Sequence, residues 1–332
     1  MKTSQSKILN SHVTIENYLP EIGNDEIVKS ILNGLLCENK YISSLFFYDE
    51  TGSKLFEEIT RLPEYYIPAI EKQLIKETAH YLKESLNNVD IIEFGSGDCS
   101  KISVLLEDVP PRSLSSIRYI PVDVSHSAIE ETVNILPRTF PELKINGILA
   151  DFVKQVNLIP NGSKNIFCLF GSTIGNFNYN QAKGFCSAVS KVMQPEDIFL
   201  LGMDMVKDPQ VLFKAYNDSR NVTSEFNKNI LKVINKYIGS DFNPQDFDHL
   251  AFFNKQHSRI EMHLKAVKDI EANSPHTPRK IRLTKGETIH TENSYKFSNA
   301  QIEELGKASR LKPQRLFTDK NNWFTLAEYV KG

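Results

Sequence analysis

The segment TIHTENSYKF, Thr288 to Phe297, alternates in character. Ile289, Tyr295 and Phe297 occupy odd positions, and Thr288, His290, Glu292, Ser294 and Lys296 occupy even ones. Period two reads as a β-strand with one polar face. On that face a carboxylate and a hydroxyl stand at i and i+2, so Glu292 and Ser294 point the same way. The pair could accept from one ligand atom and donate to another, although a polar strand face ordinarily meets solvent. A second chemistry-bearing stretch is EFGSGDCSK, at the end of the apolar run VDIIEFG (Val89–Gly95). Small residues at a strand-to-helix turn let the backbone approach a ligand closely. Asp123 ends the next apolar run, where an acid can accept both hydroxyls of a ribose. Asp151 and Phe152 end the third and could frame the edge and face of an adenine. Each feature alone is an ordinary turn or strand end. Three strand ends in succession point to a nucleoside.

The pattern E-x-G-x-G, led by Glu93, lacks the third glycine of the dinucleotide fingerprint, and Lys101 stands near its place. This disfavours NAD. The chain has no Gly-x4-Gly-Lys-Ser/Thr, which disfavours a P-loop nucleotide site. The turn looks like the S-adenosylmethionine turn of Rossmann-like methyltransferases.

The elements that must hold these residues follow from the hydrophobic pattern. Five short apolar runs, Val89–Gly95, Ile117–Asp123, Ile145–Asp151, Asn165–Ser172 and Asp197–Asp204, alternate with helix-like stretches such as SAIEETVNIL and NQAKGFCSAVSKVM. That alternation implies a parallel sheet covered on both faces, an α/β fold. EKQLIKETAHYLKESL, from Glu71, places Leu74, Ile75, Thr78, Leu82 and Leu86 near helical spacing. QRLFTD and WFTLAEYV read as a C-terminal hairpin on the sheet's edge. The first twenty residues are polar and are expected to be poorly ordered. Residues 1–70 read as mostly helical and turn-like, and 206–280 as a long helical stretch followed by the alternating RIEMHLKA. These regions are expected to form a second lobe over the sheet's carboxyl edge, where ligands bind in open α/β sheets.

Composition narrows the class. The chain has 332 residues, 40% hydrophobic and 24% charged, with a formal net charge of −2. This gives no electrostatic case for nucleic acid or an anionic membrane. No secretory h-region and no run of membrane-spanning length is visible. The four cysteines, Cys37, Cys99, Cys168 and Cys186, are widely spaced, and the eight histidines form no HxxxH or HExxH. Reduced thiols in a cytoplasmic protein without a metal site are expected.

FFYDETGSKLFEEITRLPEYY (Phe46–Tyr66), IEFGSG, YIPVDVS, FGSTIGNF (Phe170–Phe177), LLGMDMVKDP, AYNDSRNVTSEFNKNIL, RIEMHL and IHTENSYKF occur in this order. From about residue 40 to the C-terminus the chain closely resembles the histidine-specific N-methyltransferases of ergothioneine biosynthesis. The resemblance implies a Rossmann-like class I methyltransferase sheet, 70–205 plus 297–332, and a substrate-recognition lobe, 20–69 plus 206–296. It implies three methyl transfers from S-adenosylmethionine to the α-amine of L-histidine, giving trimethylhistidine (hercynine) and S-adenosylhomocysteine. By the same resemblance Gly95, Lys101, Asp123, Asp151 and Phe152 bind the cofactor. Tyr65, Gly171, Asn176, Tyr216, Met262, Glu292 and Ser294 bind the substrate, and Tyr48 lies near the reacting nitrogen. Asn176 and Tyr216 would take the carboxylate, and Glu292 and Ser294 the imidazole with Tyr65 beside it. A monomer acting on a free small molecule is expected.

The chemistry of the side chains is compatible with those roles. An in-line displacement at a sulfonium needs alignment and exclusion of water more than a strong base. Tyr48 need not be an obligatory base, because a phenol titrates near ~10 when unperturbed. A neutral imidazole donates from one nitrogen and accepts at the other, which matches Glu292 and Ser294. Other readings stand beside these. Tyr65 and Tyr216 could be core aromatics, Asn176 a turn residue, Met262 core, Lys101 a solvated lysine, and Asp123 a cap for the helix at Ser125–Ala128. Rival functions are a related N-methyltransferase for tryptophan or another amine, and a non-catalytic S-adenosylmethionine-binding protein.

Overall fold

The computed structural model describes residues 5–20, 23–160, 162 and 164–332. The chain begins with β1 (Gln5–Asn10), β2 (Val13–Asn17), α1 (Asn24–Leu36), α2 (Glu50–Thr60), α3 (Ile67–Leu82), β3 (Asp90–Phe94), α4 (Ser100–Leu106) and α5 (Pro111–Leu114). It continues through β4 (Arg118–Asp123), α6 (His126–Thr139), β5 (Lys144–Leu149), α7 (Phe152–Gln155), β6 (Asn165–Leu169), α8 (Tyr179–Val192), β7 (Ile198–Asp204), α9 (Pro209–Tyr216) and α10 (Val222–Ile238). It ends with β8 (Phe247–Asn254), β9 (Arg259–Ala266), β10 (Ile270–Ser274), β11 (Thr277–Leu283), β12 (Thr288–Tyr295), α11 (Asn299–Ala308), β13 (Leu311–Thr318) and β14 (Phe324–Lys331). Two compact units result. The first comprises Met1–Pro20, Ile67–Val206 and Lys296–Gly332, and the second Glu21–Tyr66 and Lys207–Tyr295.

The first unit is built on a nine-stranded sheet ordered β1-β2-β5-β4-β3-β6-β7-β14-β13. The strands from β2 to β7 run parallel, and β14 enters antiparallel beside β7 with β13 on the edge. The apolar runs are explained by burial on both faces: every residue of β3 and β6 is buried. The helices start where side chains can take the unpaired N–H groups of a first turn. Ser125 caps α6, and Asn178 with Gln181, and Ser298 with Gln301, form capping boxes on α8 and α11. Strand order reverses at β3, which has β4 on one side and β6 on the other. The carboxyl end of β3 is therefore the topological switch point.

The amino terminus departs from expectation. Residues 5–17 form a hairpin whose second strand pairs parallel with β5. The alternation in Val13–Thr14–Ile15 is the cause: Val13 and Ile15 are buried, Thr14 donates to Asn146, and Gln155 donates to the carbonyl of Tyr18. Their short apolar face is masked in the sequence by polar neighbours. Helix α3 also starts earlier than its apolar spacing suggests, at Ile67, and ends at Leu82.

The second unit packs α9 and α10 on a three-stranded antiparallel sheet ordered β12-β9-β8, with β10–β11 as a separate hairpin. β12 is not a continuous alternating strand. His290 pairs with His263 and Glu292 with Met262, so Thr291 is an extra residue in the ladder, a β-bulge. The bulge reverses the facing of all that follows. His290 shares a face with His263, whereas Glu292 and Ser294 share the other with Met262 and Ile260. The single polar face read from the sequence is thus two faces. Tyr295, read as apolar-side, lies on the face of Arg259 and receives its guanidinium hydrogen bond at 2.5 Å. Lys296, read as a wet position, is 1% exposed and pairs with Asp204 at 2.8 Å.

Candidate active site

In the first unit, the turn after β3 puts two glycines in the left-handed region, Gly95 at φ 62° and Gly97 at φ 51°. A Cβ at Gly95 would reach the Phe152 ring at 3.4 Å, an ordinary contact, so it is the left-handed backbone that favours glycine here. Asp123 closes β4 beside this turn. Its carboxylate accepts from Gly97 N at 3.1 Å and Ser125 N at 2.9 Å, and burial raises its pKa. The cap of α6 is Ser125, which accepts from Ala128 N, so Asp123 is free of that role. Asp151 caps the short helix α7 by accepting from Val153 N and pairs with Lys154. Glu93, the leading acid of the turn, is buried and accepts from Tyr119 at 2.7 Å. Burial pushes its carboxyl up to about 8 against that hydrogen bond. The hydroxyl of Ser96 is buried in the same turn with no hydrogen-bond partner. A buried donor in that state calls for an acceptor. A nucleoside fits this set: a close backbone, a ring, an unsatisfied hydroxyl and a strand-end carboxylate.

Lys101 sits differently from a first-turn lysine in water. Its ammonium lies 3.4 Å from Glu71, and a side chain at Gly171 would meet its Nζ at 2.9 Å. Burial opposes its charge, but the carboxylates of Glu71, Glu93 and Asp98 outweigh burial and raise its pKa. Glu71, fully buried on α3, also accepts from Gly171 N at 2.6 Å. Lys101 and Gly171, assigned to different ligands by resemblance, are therefore joined through one carboxylate. Glu71, not among the candidate residues above, stands three and four residues before Leu74 and Ile75, on the apolar face of the helix. A carboxylate there was the available signal. Gly171 itself has φ 74° and precedes the 3-10 turn Thr173–Asn176, which ends at Asn176.

In the second unit, Tyr216 at the end of α9 donates to Ser294 Oγ at 2.7 Å. Its ring meets Tyr65 edge-on, with centroids 6.1 Å apart. Ser294 is 6% exposed. Met262 is buried between Ile260 and Leu264, as its alternation suggested, and lies opposite Glu292 in the ladder. Tyr48 belongs to an aromatic cluster: its ring is 5.8 Å from Phe56 and 6.1 Å from Phe226. Tyr65, Tyr216, Ser294 and, by register, Glu292 and Met262 thus form one group, with Tyr48 in another. The opposite face of β9 has its own network. Burial alone would raise the Glu261 carboxyl, but hydrogen bonds from Arg259, His263 and Asn254 bring it down to about 2. Among the described residues no group of three or more His, Cys, Asp or Glu could hold a metal ion, and no helix is long and apolar enough to cross a membrane.

These arrangements can be set beside known proteins. The 4-dimethylallyltryptophan N-methyltransferase of Epichloe festucae var. lolii is 26% identical over 320 residues, spanning 89% of this chain and 92% of its own. Among solved structures, the mitomycin 7-O-methyltransferase superposes with a TM-score of 0.50 at 10% identity, over 93% of this chain and 67% of that one, a likeness of fold. The histidine N-alpha-methyltransferase of Mycobacterium tuberculosis (strain CDC 1551 / Oshkosh) is 34% identical over 320 residues, covering 96% of this chain and 99% of that protein. Residues 27–331 match the family described as histidine-specific, SAM-dependent methyltransferases. The first unit carries the Rossmann-like sheet of a class I S-adenosylmethionine-dependent methyltransferase, and the chain belongs to the histidine-specific methyltransferase family.

Proposed function

We propose that this chain transfers three methyl groups from S-adenosylmethionine to the α-amine of L-histidine, giving trimethylhistidine, the first step of ergothioneine biosynthesis. The observation that carries the reading is the polar group of the second unit. Glu292 and Ser294 share one strand face, and Tyr216 is hydrogen-bonded to Ser294. In this reading the first unit holds the cofactor through Gly95, Asp123, Asp151 and Phe152, with Lys101 beside them. The second unit recognises the amino acid.

The cofactor supplies an electrophilic methyl carbon on a sulfonium. The chain's residues must present a neutral amine to it in line and keep water out. Glu292 accepts from the imidazole N–H, and Ser294 donates to the other ring nitrogen. Asn176 donates to the carboxylate, and Tyr216 does so by turning its single hydroxyl proton from Ser294 Oγ on binding; Tyr65 flanks the ring, and Gly171 and Met262 shape the site. Tyr48 orients the amine through its oxygen. Before each transfer the ammonium gives one proton to solvent; a C–N bond then forms as the C–S bond breaks, and the third transfer leaves a quaternary nitrogen with no proton. We further propose that the enzyme acts as a cytoplasmic monomer on a free small molecule.

The relative that acts on dimethylallyltryptophan supplies the rival reading. An indole offers one N–H and no second ring nitrogen, so a carboxylate–hydroxyl pair suits it poorly. A buried carboxylate facing an apolar ring would cost several kcal/mol. Incubation with S-adenosylmethionine and each amino acid in turn, followed by mass spectrometry, tests the proposal. Three methyls gained by histidine support it; no product, or product from another amine alone, overturns it.

A further inference from the structure

A closed ring of hydrogen bonds runs behind the group formed by Tyr216 and Ser294. The Asn227 amide, on α10, is 0% exposed. Its Oδ1 accepts from the Thr291 hydroxyl at 2.7 Å. Its Nδ2 donates to the His263 carbonyl at 3.0 Å and faces His249 Nδ1 at 2.9 Å. His249, on β8, places Nε2 2.9 Å from the carbonyl of Tyr216. Tyr216 closes the ring by donating to Ser294, three residues beyond Thr291 on β12.

The donor and acceptor roles of Asn227 and His249 in this ring are forced. A backbone carbonyl can only accept, so the amide NH2 must face His263 O, and hence also His249 Nδ1. His249 Nδ1 must then accept, and Nε2 must carry the proton. The Tyr216 carbonyl independently requires a donor at Nε2. Both ends of the imidazole therefore select the same neutral tautomer. The bond also satisfies a carbonyl at the C-terminus of α9, where the last turn has no intrahelical donor. Asn217 gives the Phe213 carbonyl the same service from Nδ2 at 2.9 Å.

We propose that His249, held as the neutral Nε2–H tautomer by Asn227, is a positioning residue that sets substrate affinity by fixing Tyr216 against Ser294. The inference rests on the proposed substrate contacts of Tyr216 and Ser294. It predicts a pH response as well. A protonated His249 would turn a donor toward the Asn227 NH2, and Asn227 cannot flip without facing its oxygen to the His263 carbonyl. Burial and Lys228 push the His249 pKa down, against the Tyr216 carbonyl and Asp218, which favour the charge. Asp248, on its own strand, and Glu225, on α10, line the same opening.

The test compares initial rates for His249→Phe, which removes both bonds, with His249→Gln, whose amide can present the same acceptor and donor without titrating. The expected result for His249→Phe at alkaline pH is a KM for histidine about tenfold higher, with kcat within about twofold, the scale of one or two lost hydrogen bonds. His249→Gln should recover most of that loss. Ratios of KM between variant and parent cancel the titration of the substrate's own groups. The Phe-to-parent ratio should fall toward one as pH drops, because the parent loses the tautomer. Tyr216→Phe and Ser294→Ala test the underlying contacts. If they raise KM and His249→Phe does not, the positioning role is overturned while the site stands. If neither raises KM, the site reading and the inference fall together. Equal losses in His249→Phe and His249→Gln at every pH reduce the ring to space filling and overturn the proposal. Melting curves identify a variant that fails to fold, and the Gln arm then decides alone through its pH-dependent ratio to the parent. A flat ratio refutes the role.

Discussion

Lys296 follows β12 directly and is fully buried against Asp204 at the end of β7; both side chains have 0% exposure, with Nζ and Oδ2 2.8 Å apart. Val206 N donates to the Phe297 carbonyl and Phe297 N to the Asp204 carbonyl, so the pair stands where two strand ends are tied together. Replacing Lys296 by Met keeps the length of the side chain and strands the carboxylate. Breaking a buried pair on one side costs about 3–5 kcal/mol, because the remaining charge is neither hydrated nor compensated. For a unit of ordinary size each kcal/mol lowers the melting midpoint by roughly 2–4 °C, which gives a loss of roughly 6–20 °C. The double variant Lys296→Met, Asp204→Asn should recover at least half of it, since the orphaned charge is gone. Thermal melts followed by circular dichroism at neutral pH measure both. A cost below about 1 kcal/mol for Lys296→Met, the range of exposed pairs, would refute the reasoning.

Other expectations follow from the same physics. Glu292→Ala removes a charged hydrogen bond of about 1.5–3 kcal/mol, so kcat/KM for histidine should fall roughly 10–150-fold; an unchanged value contradicts the role. Gly95→Val puts a β-branched residue at φ 62° against Phe152, so S-adenosylmethionine affinity by calorimetry should weaken at least about tenfold; equal affinity would deny that the turn holds the cofactor. Glu93 carries a carboxyl pushed up to about 8 from 4.5, by burial against the Tyr119 hydrogen bond. The folded state then binds the extra proton, and stability declines as pH rises through that window and levels off above it. Glu93→Gln should gain stability relative to the parent across the same window, in melts at acidic and mildly alkaline pH; a constant difference contradicts the assignment.

The parallel sheet was legible because its central strands are buried on both faces and are therefore mostly apolar, with few polar residues such as Glu93. The turn after β3 was legible in place, because two glycines beside a strand-end acid mark a tight strand-to-helix connection. The amino-terminal hairpin was not, since Val13 and Ile15 supply one short alternation among polar residues. The facing of His290 was lost to the bulge at Thr291, one inserted residue with no compositional mark. Lys296 looked wet because its partner Asp204 belongs to a strand distant in the chain. Glu71 left a trace, a carboxylate on an apolar helix face. Asn227 and His249 left none, because their roles exist only in hydrogen bonds across α9, α10 and the small sheet.

A preference for histidine is the central claim, and a competition assay tests it most directly. Equal concentrations of histidine and tryptophan, incubated together with the enzyme and S-adenosylmethionine, give a product ratio equal to the ratio of kcat/KM values. A site built to hydrogen-bond both imidazole nitrogens rejects a ring lacking one by a factor on the order of 10⁴. Mass spectrometry should then find trimethylhistidine and no detectable methylated tryptophan. Methylated tryptophan in comparable amount would contradict the claim that Glu292 and Ser294 recognise an imidazole.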